Sequence, residues 1–291
     1  MTLVRLPPPL DIAGSLELFR RSGDDLIDRW DGTRLVRVLS TSGRAHRARP
    51  FVAVMTGTVD APAFEASSSD PTVLDAVATT FTAAPPEYPA LLANDPVLAR
   101  LNSRFPGIRQ IRQLDLFTAL IRCISAQQVN LSWAVTTRRR LAETFGTTHD
   151  AAGECVYSLD PERLASVDPT QIRALQFTTS KSEFIVAVAR ALASGTVSLD
   201  ELARLPDDEV IARLCAIRGI GRWSAEWVLA RTLGRPCVVG GDLGVRKAVG
   251  LAYLDTPLPS EAEVRRATAH WGSSASAAQA LLLHALGERA F

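Results

Sequence analysis

The stretch from 208 to 247, DEVIARLCAIRGIGRWSAEWVLARTLGRPCVVGGDLGVRK, constrains this chain most. Val210, Ile211, Leu214, Cys215 and Ile217 recur at spacings of three and four, the period of a helix with one apolar face. The pattern breaks at Gly219-Ile220-Gly221, where two glycines permit backbone dihedrals that a Cβ resists. A second helix follows, with Trp223, Trp227, Val228 and Leu229 at helical spacing. Its first amides face outward at the positive end of the helix dipole, a site suited to a phosphate. Arg218 and Arg222 bracket that site. A plain pair of helices joined by a glycine turn has the same pattern and no ligand. Asp242 separates the two readings. It lies past the second helix, in Val238-Val239-Gly240-Gly241-Asp242, where the next helix begins at Leu243. It suits a helix cap there, and a carboxylate near a phosphate-binding turn also suits chemistry on a sugar.

Gly219-Ile220-Gly221-Arg222-Trp223-Ser224-Ala225, with Asp242 nineteen residues after Trp223, resembles the helix-hairpin-helix DNA glycosylase superfamily. The chain is most similar to its alkylbase branch, of the 3-methyladenine DNA glycosylase II type. The resemblance extends to Pro7-Pro8-Pro9-Leu10-Asp11, to Ile124-Ser125-Ala126-Gln127-Gln128-Val129-Asn130 and to Leu175 through Lys181. It implies a mainly α protein with an α+β N-terminal domain, a small antiparallel sheet with helices over residues 1–84. A helical core over 85–291 is expected to follow, containing the hairpin at 208–232 and the catalytic loop at 238–244.

The local patterns agree with that outline. Leu16 to Trp30 looks helical. Thr33–Leu39 and Phe51–Val59 look like strands, rich in β-branched residues with partial alternation. Ala61 to Asp70 reads as turn-rich, and Pro71 to Phe81 as a further helix. Ala84-Pro85-Pro86-Glu87-Tyr88-Pro89 reads as a linker. From Ala90 onward the pattern is helical almost throughout. Asp115 and Asn130 sit at helix starts, and Gly146 at a stop. Arg138-Arg139-Arg140 lies within one of these helices, either a solvated face or a DNA contact.

Composition narrows the class. The chain has 291 residues, 47% of them hydrophobic and 22% charged, which is globular usage. No run of eighteen apolar residues is present, so no membrane partner is expected. MTLVRLPPPLD lacks an apolar signal core, so a cytoplasmic location is expected. Cys123, Cys155, Cys215 and Cys237 are too scattered for a metal or disulfide framework, so no metal is expected. The net charge of +1 leaves any nucleic-acid contact to local clusters.

The resemblance supplies a chemistry that the residues can be tested against. Breaking the bond between sugar and base develops positive charge on the sugar, which a fixed carboxylate stabilises. Asp242 is the candidate catalytic residue for that role and for orienting water. Arg218, Gly219, Ile220, Gly221 and Arg222 are the candidate DNA-binding hairpin. Trp223, Trp227, Leu243 and Ser274 are the candidate base pocket, because a target base must leave the stack to be reached and indoles can stack on it. Both tryptophans at this spacing also suit a core. Gln127 and Gln128 match the family's duplex wedge. Members that also cut the backbone use a lysine where Trp223 stands. Lys181 and Lys247 are the chain's lysines, and neither occupies that place, so a monofunctional enzyme is expected. Its substrate is expected to be double-stranded DNA with alkylated purines such as 3-methyladenine, its product an abasic site and its state a monomer. No cofactor is expected beyond a monovalent cation on hairpin carbonyls, implied by resemblance. Family aromatics are replaced by Leu243, by Ser274 and, in the N-terminal domain, by Leu18 beside Phe19. A glycosylase for neutral bases (hypoxanthine, etheno-adenine, uracil) and a non-catalytic damage-binding protein therefore stay open.

Overall fold

A computed structural model describes residues 1–40 and 48–291. Five antiparallel strands form the N-terminal sheet: β1 (Thr2–Arg5), β2 (Arg29–Trp30), β3 (Arg34–Ser40), β4 (Ala48–Thr58) and β5 (Ala61–Ala66). Their order is β1-β5-β4-β3-β2, with Val4 opposite Phe64 and Leu35 opposite Ala53. Side chains alternate across the sheet. One face, with Leu35, Phe51, Ala53 and Phe64, packs on Leu16 of α1 (Ile12–Arg21) and on Val73 and Val77 of α2 (Pro71–Ala78). The other face presents Val36 and Val52 to Ala151 and Val156. Those two residues belong to a short hairpin, β6 (Thr147–Ala151) and β7 (Glu154–Ser158).

The remainder is helical: α3 (Tyr88–Asn94), α4 (Pro96–Arg104), α5 (Leu116–Ala126), α6 (Leu131–Phe145), α7 (Pro161–Ala165), α8 (Pro169–Ala174) and α9 (Thr179–Ala193). After these come α10 (Leu199–Arg204), α11 (Asp207–Cys215), α12 (Arg222–Arg231), α13 (Leu243–Val249), α14 (Glu261–Thr268) and α15 (Ala275–Gly287). Asp115 and Asn130 cap α5 and α6 through their side chains, as their positions in the sequence suggest. One helical core joins Leu120, Ile121 and Ile124 of α5 to Val210 and Leu214 of α11 and Val228 and Leu229 of α12. A second gathers Leu101, Val245, Trp271 and Leu281 around α4, α13 and α15. No helix among the described residues is long and apolar enough to cross a membrane.

Three sequence expectations fail here, each for a physical reason. The helix expected over Leu16–Trp30 stops at Arg21. Gly23 turns the chain at φ +108°, and the Asp24 and Asp25 carboxylates accept the Leu26 and Ile27 amides, 2.8 and 3.2 Å, a turn that competes with helix. The turn-rich Ala61–Asp70 holds strand β5 as far as Ala66, because β1 and β4 flank it and satisfy its backbone. The unbroken helical pattern after Ala90 is interrupted by β6 and β7, whose apolar residues are used by the N-terminal sheet.

The Arg138-Arg139-Arg140 triplet is not one surface. Arg139 is exposed and pairs with Glu143, whereas Arg138 is buried and donates to Asp25, 2.9 Å, and to Ser125 Oγ, 2.8 Å. Asp25 and Asp28 also take Arg122, and Asp28 takes Arg37, at 2.6–2.7 Å. This buried cluster ties the β2 approach and β3 to α5 and α6. Burial raises the Asp25 pKa, but the Arg122 and Arg138 charges outweigh it and leave the carboxyl at about 2.

Candidate active site

The hairpin has the geometry that its glycines require. Gly219 adopts φ +92°, and a Cβ there would fall 2.1 Å from the Phe184 ring, so both conformation and space demand glycine. Gly221 begins α12 with no side-chain cap, and a Cβ on it would meet open space. The first amides of α12 thus open toward solvent at the positive helix end. Ile220 is buried beneath the turn. Arg218 reaches Glu183, 2.6 Å, and lies over the Phe184 ring. Arg222 is drawn back along α12 to Glu226, 2.8 Å. Glu226 is buried and is also taken by Arg265, 2.6 Å.

Asp242 divides its two oxygens between two tasks. Oδ1 accepts the amides of Gly244, 2.8 Å, and Val245, 3.0 Å, and so caps α13. Oδ2 accepts the indole N–H of Trp223 at 3.1 Å. The carboxylate is therefore both a cap and a neighbour of the hairpin's second helix. Its own N–H is held by Val239 O, 2.9 Å. The Val239 N–H in turn donates to Gln279 Oε1 of α15, 2.8 Å. Gln279 Nε2 meets Gln110 Oε1 at 3.5 Å, and Gln110 Nε2 donates to Ala230 O of α12 at 2.8 Å. Two buried amides thus link α12, α15 and the loop that carries Asp242.

A cleft of about 510 Å³, including its open mouth, lies between α1, the end of α12 and α15, with Leu18, Arg109, Gln110, Arg231, Leu283 and His284 among its lining. It abuts the Asp242 loop: a Cβ on Gly244 would stand 3.1 Å from both Asp242 Oδ1 and Leu283 Cδ2. Leu18 lines this cleft, whereas none of the expected pocket residues Trp223, Trp227, Leu243 and Ser274 is part of its lining. Trp223 is half-buried on Asp242, and Trp227 lies under the Arg231 guanidinium, 5.2 Å from ring centroid to Cζ. Leu243 is 54% exposed at the first position of α13. Ser274 is buried where α15 begins and does not line the cleft.

Gln127 and Gln128 fall between α5 and α6. Gln127 Nε2 donates to the Gly219 carbonyl, 3.1 Å, which joins this loop to the hairpin. Gln128 projects into solvent with φ +55°. Lys181 is buried and donates to Ser125 O, 2.9 Å, with its pKa lowered by burial, and Lys247 is exposed on α13. The hairpin carbonyls of Ile217 and Gly219 each accept one protein hydrogen bond and keep a second lone pair, so they fit a monovalent cation. Sequence reasoning missed Arg109, Gln110, Arg231 and Gln279. For Arg231 a signal existed, since it stands four residues after Trp227 on the same helical face. The two glutamines carry no local pattern.

An antiparallel sheet domain leading into helices that bear a glycine hairpin, with an aspartate capping the helix after it, defines a helix-hairpin-helix protein of the base-excision type. The family described as HhH-GPD superfamily base excision DNA repair protein matches residues 121–273, and this chain belongs to it. Over 179 residues the chain is 32% identical to the DNA-3-methyladenine glycosylase of Bacillus subtilis, covering 61% of this chain and 59% of that one. It is 30% identical over 136 residues to DNA-3-methyladenine glycosylase 2 of Escherichia coli, covering 46% and 47%. The matches thus span less than two thirds of either relative. The fold is shared with the 3-methyladenine DNA-glycosylase from Archaeoglobus fulgidus, at a TM-score of 0.83 and 23% identity over 100% of this chain and 99% of that one. It is also shared with the Clostridium acetobutylicum 8-oxoguanine glycosylase/lyase, at 0.75 and 16% over 98% and 94%.

Proposed function

We propose that this chain is a monofunctional DNA N-glycosylase of base excision repair, which releases damaged purines, alkylated ones such as 3-methyladenine among them, and leaves an abasic site. The observation that carries the reading is the Asp242 carboxylate bonded to Trp223, a carboxylate fixed beside the hairpin with no amine at the tryptophan's place. The α12 amides and Arg218 hold a phosphate of duplex DNA. A monovalent cation on the Ile217 and Gly219 carbonyls would add positive charge beside that phosphate. Gln128, exposed and paired with no other side chain among the described residues, fills the space that the extruded base leaves. The base rests in the cleft beside Asp242. As the glycosidic bond stretches, Asp242 faces the developing sugar cation and stabilises it. It also orients the attacking water. A lysine Schiff base has no place in this scheme, because Lys181 is engaged under α5 and Lys247 points to solvent.

The test is base release from methylated duplex DNA by wild type and Asp242→Asn. The substitution keeps shape and removes charge. Release is expected to fall by about 100- to 1,000-fold, the size of losing one transition-state electrostatic contact, while binding to abasic-site DNA persists. Equal release by both proteins would overturn the role of Asp242. Binding without release from any lesion, cationic or neutral, would leave a damage-binding protein. A borohydride-trapped protein–DNA adduct would overturn the monofunctional assignment.

A further inference from the structure

We propose that the cleft beside Asp242 selects 6-oxo purines over 6-amino purines, through the guanidinium groups of Arg231 and Arg109. This rests on the glycosylase reading and names the class of base that the site prefers.

Buried charges are normally paired, and Arg37, Arg122 and Arg138 obey this through Asp25 and Asp28. Arg109 is 8% exposed, yet it forms no ion pair among the described residues. One of its N–H groups reaches the carbonyl of the adjacent Ile108, 2.9 Å, and the guanidinium lies 5.4 Å over the Tyr88 ring. Arg231 is half-buried with its guanidinium 5.2 Å from the Trp227 ring centroid, and its Nε is sealed from solvent with no hydrogen-bond partner among the described residues. It too lacks any ion pair among the described residues. Burial lowers the pKa of both, opposed at Arg231 chiefly by the nearby charge of Asp242. Both arginines line the same cleft.

The other polar groups of the cleft are committed. Gln110 spends its amide on Ala230 and Gln279. Glu17 at the rim is held by Arg20. Burial lowers the His284 pKa, which disfavours its charged form. The cleft therefore offers unused N–H donors in excess. A guanidinium is donor-only. A 6-oxo purine turns two acceptors, O6 and N7, toward such a fork, whereas a 6-amino purine sets an amino donor against it. Each guanidinium lies over an aromatic ring, Arg109 at 5.4 Å from Tyr88 and Arg231 at 5.2 Å from Trp227, and its planar fork of donors suits two-point contact.

The experiment uses the full chain and duplex DNA treated with dimethyl sulfate, which carries 3-methylguanine and 3-methyladenine. Both are alkylated at the same atom and differ at position 6. Released bases are separated and their single-turnover rates compared. In Arg231→Met the 3-methylguanine to 3-methyladenine rate ratio is expected to fall by about tenfold, the discrimination of one two-point arginine–purine contact. Arg109→Met is expected to move it in the same direction. An unchanged ratio in both variants overturns the proposal while leaving the glycosylase reading intact. No release of either base by wild type overturns both. A second measurement needs no variant: quenching of tryptophan fluorescence by free hypoxanthine and by adenine. Wild type is expected to bind hypoxanthine about ten times more tightly, and equal affinities overturn the proposal.

Discussion

Two groups of buried or half-buried arginines sit in this molecule in opposite states. At the junction between the sheet and the helices, Arg37, Arg122 and Arg138 share Asp25 and Asp28. In the cleft, Arg109 and Arg231 have aromatic rings beneath them and, among the described residues, no carboxylate bonded to them. The junction charges complete one another, so that region is finished within the chain. The cleft charges are complete only when something with acceptor atoms is present. A matched cluster holds parts together, and an unmatched one awaits a ligand.

The largest effect that would break this comparison is in the junction. Asp25→Ala strands Arg138 and half of Arg122 in a buried site. Removing one partner of a buried pair typically destabilises by about 3–5 kcal/mol, and urea unfolding should show a loss of that size. Arg109→Met removes a charge that has no partner, so its unfolding free energy should be equal to or above wild type. A loss at Arg109→Met as large as that at Asp25→Ala would erase the distinction between the regions.

Acid sharpens it at the next level. The Asp25 carboxyl is held at about 2 against an ordinary 3.8. A depressed folded pKa gives stability that is complete above the unfolded value and is lost as pH falls from about 4 through about 2. The shift corresponds to about 2 kcal/mol. Asp28 moves in the same direction, its burial outweighed by Arg37 and Arg122. Urea midpoints of wild type should therefore fall between pH 5 and pH 2.5 by more than those of Asp25→Asn. Parallel curves for the two proteins would mean that the junction is not held by this carboxylate.

The hairpin and the cap were legible in the sequence because their determinants are local. A glycine at φ +92° under Phe184, a helix start, an aspartate and a tryptophan at fixed spacing need few residues to be recognised. Strand β5 and the β6–β7 hairpin were not, because their partners lie far away in the chain: β5 joins β1, and Val156 meets Val36 and Val52. Arg138 looked like part of a surface triplet because its partner is Asp25, 113 residues earlier. The unpaired state of Arg109 and Arg231 is a property of what surrounds them, and a one-dimensional pattern does not carry it.

The smallest effect concerns what connects the cleft wall to the loop that carries Asp242. Gln279 is 1% exposed and accepts the Val239 N–H, while Val239 O accepts the Asp242 N–H. Two hydrogen bonds thus separate α15 from the backbone of Asp242, and Gln110 braces the other side of Gln279 from α12. Gln279→Leu keeps the volume and removes the acceptor. Val239 is itself buried, so its amide is left without a partner unless the loop moves, and an unsatisfied buried group costs about 1–3 kcal/mol. Movement relieves that penalty and displaces Asp242 from the Trp223 indole. Small misplacements of a reacting group reduce rate more than affinity. The single-turnover rate of base release should fall by about tenfold, about 1.4 kcal/mol in barrier, while affinity for abasic-site DNA stays near wild type. Gln279→Glu retains an oxygen for Val239 and should recover most of the rate. If rate and affinity fell together, or if glutamate failed where leucine failed, Gln279 would be acting as general packing, and Asp242 would owe its place to the Trp223 bond and the α13 cap alone.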